Sequence, residues 1–213
     1  MAYGTYLFDM DGTLLDTLAD LADAINHILK QYGYAPCTVE QARQRLGNGA
    51  RKLIAAMLPQ GEETPGFEAL LQAYKDYYQA HACIKTVPYP GIPEMLETLR
   101  QRGCRIAIVS NKPDGATREL AARFFPGLPA FGQQDGIPAK PAPDMVYHAL
   151  AELGVDRADA AYVGDSEVDV ALAKNAGLPL IAVSWGFRGR RALEEAGAEL
   201  VVDDAAQLLE NVL

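Results

Sequence analysis

Short, unbroken apolar runs separated by helical stretches constrain this chain more than any other feature. Such runs occupy residues 4–8, 105–109, 160–163, 180–183 and 200–202. They are apolar throughout rather than alternating, which predicts strands buried on both faces. Helical spacing is expected over 93–102, 143–153, 168–175 and 191–196. Strands alternating with helices predict an α/β fold, a parallel sheet covered on both sides.

The alternation breaks once. From residue 16 to 32 the apolar residues Leu18, Leu21, Ala22, Ile25, Ile28 and Leu29 recur at helical spacing until Gly33. Thr38 with Gln41 three residues on predicts a capping box. Two more helices are expected over 50–58 and 66–82, and nothing from 16 to 84 reads as a strand. The turn-rich segment Val87-Pro88-Tyr89-Pro90-Gly91-Ile92-Pro93 marks the return to strand and helix. The expected organisation is an α/β core of 1–15 plus 86–213, with an all-helical insert of 16–85 after the first strand. At 213 residues the chain is long enough for a core of about 140 residues and such an insert.

In parallel sheets, ligands bind beyond the carboxyl ends of the strands. Those ends carry Asp9 and Asp11, then Ser110 and Asn111, then Gly164 and Asp165, then Ser184. Asp9 and Asp11 are one residue apart, and two such carboxylates repel unless a cation lies between them. The net charge of −9, with no basic cluster longer than Arg188-Gly189-Arg190-Arg191, argues against a nucleic-acid partner. An anionic substrate would need a metal or a local cation. The first nine residues lack the basic region of a signal peptide, and no apolar run approaches a membrane span. Cys37, Cys83 and Cys104 are odd in number and widely spaced, as reduced thiols would be, and a cytoplasmic location is expected.

The stretch Phe8-Asp9-Met10-Asp11-Gly12-Thr13-Leu14-Leu15-Asp16-Thr17 resembles the first motif of the haloacid dehalogenase superfamily. Ser110 in Val109-Ser110-Asn111-Lys112 resembles the second motif, and Lys140 before Pro141 the third. Gly164-Asp165-Ser166-Glu167-Val168-Asp169 resembles the fourth. The likeness spans nearly the whole chain and implies a Rossmann-like core with a small helical cap. It also implies a phosphatase in which Asp9 is the nucleophile and Asp11 gives and takes the proton. Ser110 would hold a phosphoryl oxygen, and Lys140 would offset its charge. Asp9, Asp165 and the Asp11 carbonyl would hold Mg2+, with Asp169 orienting Lys140 or a metal-bound water.

Within the insert, Leu46-Gly47-Asn48-Gly49-Ala50 resembles the phosphoglycolate phosphatase branch and opens a helix. Gly47, Asn48 and Arg51, with Asn111 and Ser110, are the expected substrate contacts; Arg45 and Lys52 stand near enough to help a carboxylate bind. The implied substrate is a small phosphorylated metabolite, 2-phosphoglycolate first, and the protein a monomer or homodimer. Pyrophosphatase, nucleotide or sugar phosphatase and phosphosugar mutase share such a site. Asp11 disfavours dehalogenation, and phosphonate hydrolysis would call on a lysine such as Lys52. A catalytically silent binding module is the non-enzyme alternative. His27, His81 and His148 read as structural, and Tyr74, Tyr77 and Tyr78 as packing. The stretch Trp185-Gly186-Phe187-Arg188 either borders the site or packs. Between Phe125 and Lys140 a strand is expected to be short or irregular.

Overall fold

The structure, a computed structural model, describes residues 3–212. The chain begins with β1 (Thr5–Phe8) and a two-residue β2 (Leu15–Asp16), then α1 (Leu18–Gln31), α2 (Val39–Arg43), α3 (Gly49–Ala55) and α4 (Phe67–His81). It returns through β3 (Val87–Pro88) to α5 (Ile92–Gln101), β4 (Arg105–Pro113), α6 (Asp114–Phe124) and β5 (Ala130–Gln133). The last third holds α7 (Asp144–Leu153), β6 (Ala160–Gly164), α8 (Glu167–Ala176), β7 (Leu180–Val183), α9 (Gly189–Glu195), β8 (Val201–Val202) and α10 (Ala205–Val212).

Six strands form one parallel sheet in the order β5-β4-β1-β6-β7-β8. The α/β expectation holds. Alternate residues of each strand feed opposite cores. Tyr6, Phe8, Ile106, Ile108, Ala161 and Val163 pack under α5, α6 and α10. Leu7, Ala107, Val109 and Tyr162 pack under α7 and α8. Both faces are therefore dry, which is why these strands are unbroken apolar runs. The chain winds outward from β1 through β4 to β5, then crosses back to β6 on the other side. The strand order reverses beside β1, where a ligand crevice is expected.

Helices α1 to α4 gather a separate cluster around Ile25, Leu29, Ile54, Leu70 and Tyr74. The predicted capping box is present: Gln41 N–H donates to Thr38 Oγ1 at 3.1 Å, and Thr38 N–H to Gln41 Oε1 at 2.8 Å. Two strands of chain join this block to the sheet, and they are tied together. β2 pairs antiparallel with β3. The buried Asp20 carboxylate accepts the N–H groups of Ile84, Lys85 and Thr86, with the Thr86 hydroxyl at 2.8 Å.

Three elements, β4, α6 and α10, differ from the sequence reading. The second core strand runs on from Val109 to Pro113, with a register shift against β5 in that extension. Such irregularities re-aim side chains, and here they turn Ser110, Asn111 and Lys112 toward the crevice. The third strand is short, as expected: the four residues of β5, paired with β4. Helices α6 and α10 are additions. The first opens on Pro113-Asp114-Gly115, residues that by themselves read as a turn. Among the described residues, no helix is long and apolar enough to cross a membrane.

Candidate active site

Asp9 ends the buried run of β1, 6% exposed, because the strand carries it to the sheet's edge before the chain can turn. Its Oδ1 accepts the Met10 N–H at 2.7 Å, and its Oδ2 lies 3.0 Å from Lys140 Nζ. Lys140 also donates to Asp169 Oδ1 at 2.9 Å and to the Tyr162 hydroxyl at 3.0 Å. A buried ammonium is tolerable only with such partners. Burial works to lower the Lys140 pKa, but Asp169 and Asp9 outweigh it and hold the group charged. Burial raises Asp9 to about 6, against the pull of Lys140 and with Asp169 and Asp11 adding.

Asp169 is fixed from both ends. Its Oδ2 accepts the Ser166 N–H at 3.1 Å and the Ser166 hydroxyl at 2.6 Å, a capping box that opens α8. The cap residue is thus Ser166, which leaves Asp165 free to face Asp9. Asp165 accepts the Thr13 hydroxyl at 3.0 Å and the Phe187 N–H at 2.8 Å. Burial, then Asp169 and Asp9, raises its pKa well above the usual carboxylate range. Carboxyl oxygens of Asp9, Asp165 and Asp169 lie within 4.8 Å of one another. Three buried acids with Lys140 as the ammonium among them leave uncompensated charge, and the donor set is hard oxygen. The cluster fits a small divalent cation. Gly12 allows the approach: at φ 86° it turns the chain where a Cβ would lie 2.4 Å from an Asp165 oxygen.

The Asp11 side chain is not part of this cluster. Its carboxylate is gripped by Lys112 Nζ at 2.8 and 2.9 Å and accepts the Thr17 hydroxyl at 2.8 Å. Lys112 is itself 5% exposed, with its ammonium 4.5 Å from the centre of the Tyr78 ring. No role was assigned to Lys112 from sequence. The signal was present in Val109-Ser110-Asn111-Lys112: a lysine so close to a buried strand needs an acid nearby.

Asp9, Asp11, Ser110, Asn111 and Lys112 line a cavity of about 90 Å³, roofed by the helical block. That is several times the roughly 15 Å³ needed by one ordered water. The roof is Leu21, Leu46, Gly47, Gly49, Ala50 and Leu53, with Tyr74, Lys75, Tyr78 and Gln79 of α4. Tyr74 and Tyr78 are buried, so they pack as expected and line the cavity as well. Tyr77 faces away, stacked between His27 and His81 at 3.8 and 3.9 Å.

The structure does not bring every expected contact here. Ala50 and Leu53 lie on the inner face of α3, which puts Arg51 and Lys52 on its other face. Arg51 pairs instead with Glu62 at 2.7 Å and with Glu68, and Arg45 donates to the Gln41 carbonyl at 3.0 Å. Neither Arg45, Arg51, Lys52 nor Asn48 lines the cavity. The lysine that α4 turns to it is Lys75. Asn111 does line it, but its amide is committed: Oδ1 accepts the Lys140 N–H at 2.7 Å, and Nδ2 donates to the Gly47 and Lys140 carbonyls at 3.0 Å. Ser184 lies elsewhere, bonded to Asp203.

A fold that winds outward on both sides of β1, with acids and a lysine at its strand ends, is the frame of a group-transfer enzyme. Residues 6–183 match the model of the haloacid dehalogenase-like hydrolase family, and the chain belongs to that family. It is 34% identical to phosphoglycolate phosphatase 1 of Pseudomonas aeruginosa over 95% of this chain and 77% of that one. It is 36% identical to the phosphoglycolate phosphatase of Caulobacter vibrioides, over 93% of this chain and 86% of that one. A solved structure from Lactobacillus delbrueckii superposes with TM-score 0.93 at 38% identity, covering 100% of this chain and 99% of that one. CbbY from Rhodobacter sphaeroides, in complex with xylulose-(1,5)bisphosphate, superposes with TM-score 0.81 at 27% identity over 97% and 96% of the two chains. The branch is one of phosphoric monoester hydrolases.

Proposed function

We propose that this protein is a magnesium-dependent phosphatase acting on a small phosphate monoester with a second negative charge, 2-phosphoglycolate first. The observation that carries the reading is Asp9, backed by Lys140 at 3.0 Å, facing a cavity whose roof offers Lys75. The relatives named phosphoglycolate phosphatase support it at 34% and 36% identity. The helical block, residues 16–85, acts as a cap that excludes water and meets the leaving group.

Asp9 attacks phosphorus; an Asp9–O–P bond forms as the bond to the leaving oxygen breaks, and Asp11 gives that oxygen a proton. Water then attacks phosphorus, Asp11 takes its proton, and the Asp9–O–P bond breaks to release inorganic phosphate. Ser110 holds a phosphoryl oxygen, and Lys140 offsets the charge that builds on phosphoryl and nucleophile. Lys112 and Thr17 aim Asp11. Mg2+ would be held by Asp9, Asp165 and the Asp11 carbonyl, where it would neutralise phosphoryl charge; Asp169 holds Lys140 in place. Lys75 receives the carboxylate of the leaving group.

A sugar phosphate is the second reading, favoured by the bisphosphate-bound CbbY structure on the same fold. A panel of 2-phosphoglycolate, sugar phosphates, nucleoside monophosphates and pyrophosphate, ranked by kcat/KM with and without MgCl2, separates the two. The expected result is magnesium-dependent release led by 2-phosphoglycolate, lowered at least about 10³-fold in Asp9→Asn. Leadership by a sugar phosphate or pyrophosphate overturns the substrate reading, and turnover in Asp9→Asn overturns the nucleophile.

A further inference from the structure

The loop after β7 reaches the acid cluster and the helical block at once. It closes on the acid cluster: the Phe187 N–H donates to Asp165 Oδ2 at 2.8 Å, and the Trp185 indole Nε1 donates to the Thr13 carbonyl beside it at 2.9 Å. Gly186 passes so near that a Cβ there would lie 2.3 Å from both the Asp165 Cβ and the Gly12 carbonyl oxygen. The side chains of Phe187 and Arg188 go the other way. Phe187, 7% exposed, is buried in the cluster of α1 to α4 rather than in either core of the sheet. The Arg188 guanidinium donates to the carbonyls of Arg43 at 2.7 Å and Leu46 at 2.6 Å, where α2 ends. Glu167, on α8 of the sheet's own unit, holds that guanidinium from behind at 2.8 and 3.2 Å.

Each contact has a physical reason. A carbonyl has two lone pairs, so the Arg43 oxygen takes the guanidinium beside the Leu46 N–H at 3.3 Å, and the planar fork reaches the Leu46 oxygen with its other arm. The Arg188 side chain is only 13% exposed, so these bonds are poorly screened. The two residues that hold the block are adjacent to the N–H that holds Asp165. A displacement at the acid cannot leave them unmoved. The carboxyl oxygens of Asp165 lie within 4.8 Å of those of Asp9 and Asp169, so a cation among them would fix where Asp165 sits.

We infer that residues 185–188 form a clasp that couples a cation at the acid cluster to the position of the cap, with Arg188 its positioning residue. A cation that steadies Asp165 steadies the Phe187 backbone, and with it Phe187 and Arg188 in the cap. Linkage is reciprocal, so a clasped cap also raises affinity for the cation. The inference rests on the cation proposed above, and no substrate enters its test.

The chain contains one tryptophan, Trp185, inside the loop itself. Its emission during a MgCl2 titration reads the cluster, and deuterium uptake by peptides covering residues 42–50 reads the cap. Both are measured on the wild type, Arg188→Ala and Arg188→Lys, with thermal melts showing that each is folded. In the wild type, MgCl2 slows uptake at 42–50 by about tenfold. In Arg188→Ala that slowing is lost and the titration midpoint rises several-fold; Arg188→Lys, which keeps charge but not the fork, falls between. Equal slowing in wild type and Arg188→Ala overturns the clasp, as does a wild-type emission change with no change in uptake. A wild type that ignores MgCl2 in both readouts overturns the cation assignment, and the clasp with it.

Discussion

On the sheet side, Asp9 and Ser110 line the cavity with Lys140, Asp165 and Asp169 behind them; all are 6% exposed or less, and each is bonded to its neighbours. On the side of the helical block, Leu21, Leu46, Leu53, Tyr74 and Tyr78 line it, and Lys75 and Gln79 are exposed. The first wall is a closed network in which removing one charge strands another in a dry site. The second is apolar surface with a few solvated polar tips, where a substitution disturbs little besides what it touches.

The comparison predicts effects of unequal size. Lys112→Met removes the grip on both Asp11 oxygens, so kcat should fall about 10²-fold, the usual worth of a placed proton donor. A change confined to KM would place Lys112 on the selective wall instead. Lys75→Met should raise KM for 2-phosphoglycolate about tenfold, the value of one charge-assisted bond. It should leave 4-nitrophenyl phosphate, which has no carboxylate, within about twofold. Arg51→Met, already paired with Glu62 and Glu68, should leave both substrates within the same twofold. Reversed roles for the two cations would break the assignment of the cap wall.

The smallest effect is on stability. Asp9 titrates in the folded protein at about 6, above its ordinary 3.8, because burial opposes its charge. Folding therefore favours its protonated form; that contribution is full below about pH 4 and is lost as pH rises through about 6. A cation reverses the penalty once Asp9 is ionised. Added MgCl2 should raise Tm by about 5 °C at pH 7.5 and by under about 2 °C at pH 4.5. Equal shifts at both pH values in scanning calorimetry would mean that the cation binds away from Asp9.

Much of this was legible along the chain because it is local. A strand buried on both faces must be an apolar run, and Asp9, Ser110 and Asp165 follow such runs directly. The helical block showed itself by its period. Asp169 was placed as an orienting group by the likeness of Gly164-Asp165-Ser166-Glu167-Val168-Asp169 to the family's fourth motif; that Ser166 fixes it through a capping box came from the structure. What stayed hidden depended on directions that period and spacing leave open. Arg51 and Lys52 are near Gly47 in sequence, but the turn of α3 carries them outward; Lys75, far along the chain, is carried in. Lys112 gained its meaning only when the register shift in β4 swung it to Asp11.

Asp9, Asp11, Ser110 and Asp165 were determined by the sequence alone, since covalent spacing and strand burial suffice to put them at one edge; Lys140, seven residues beyond β5, was placed by its likeness to the family's third motif. Tertiary structure alone decided what faces them. The roof is made by helices inserted between β1 and β4, and whether Lys75 or Arg51 looks inward depends on how those helices rotate as they bury Tyr74, Leu53 and Phe187. That rotation is set by packing between segments distant in the chain, which no local pattern encodes.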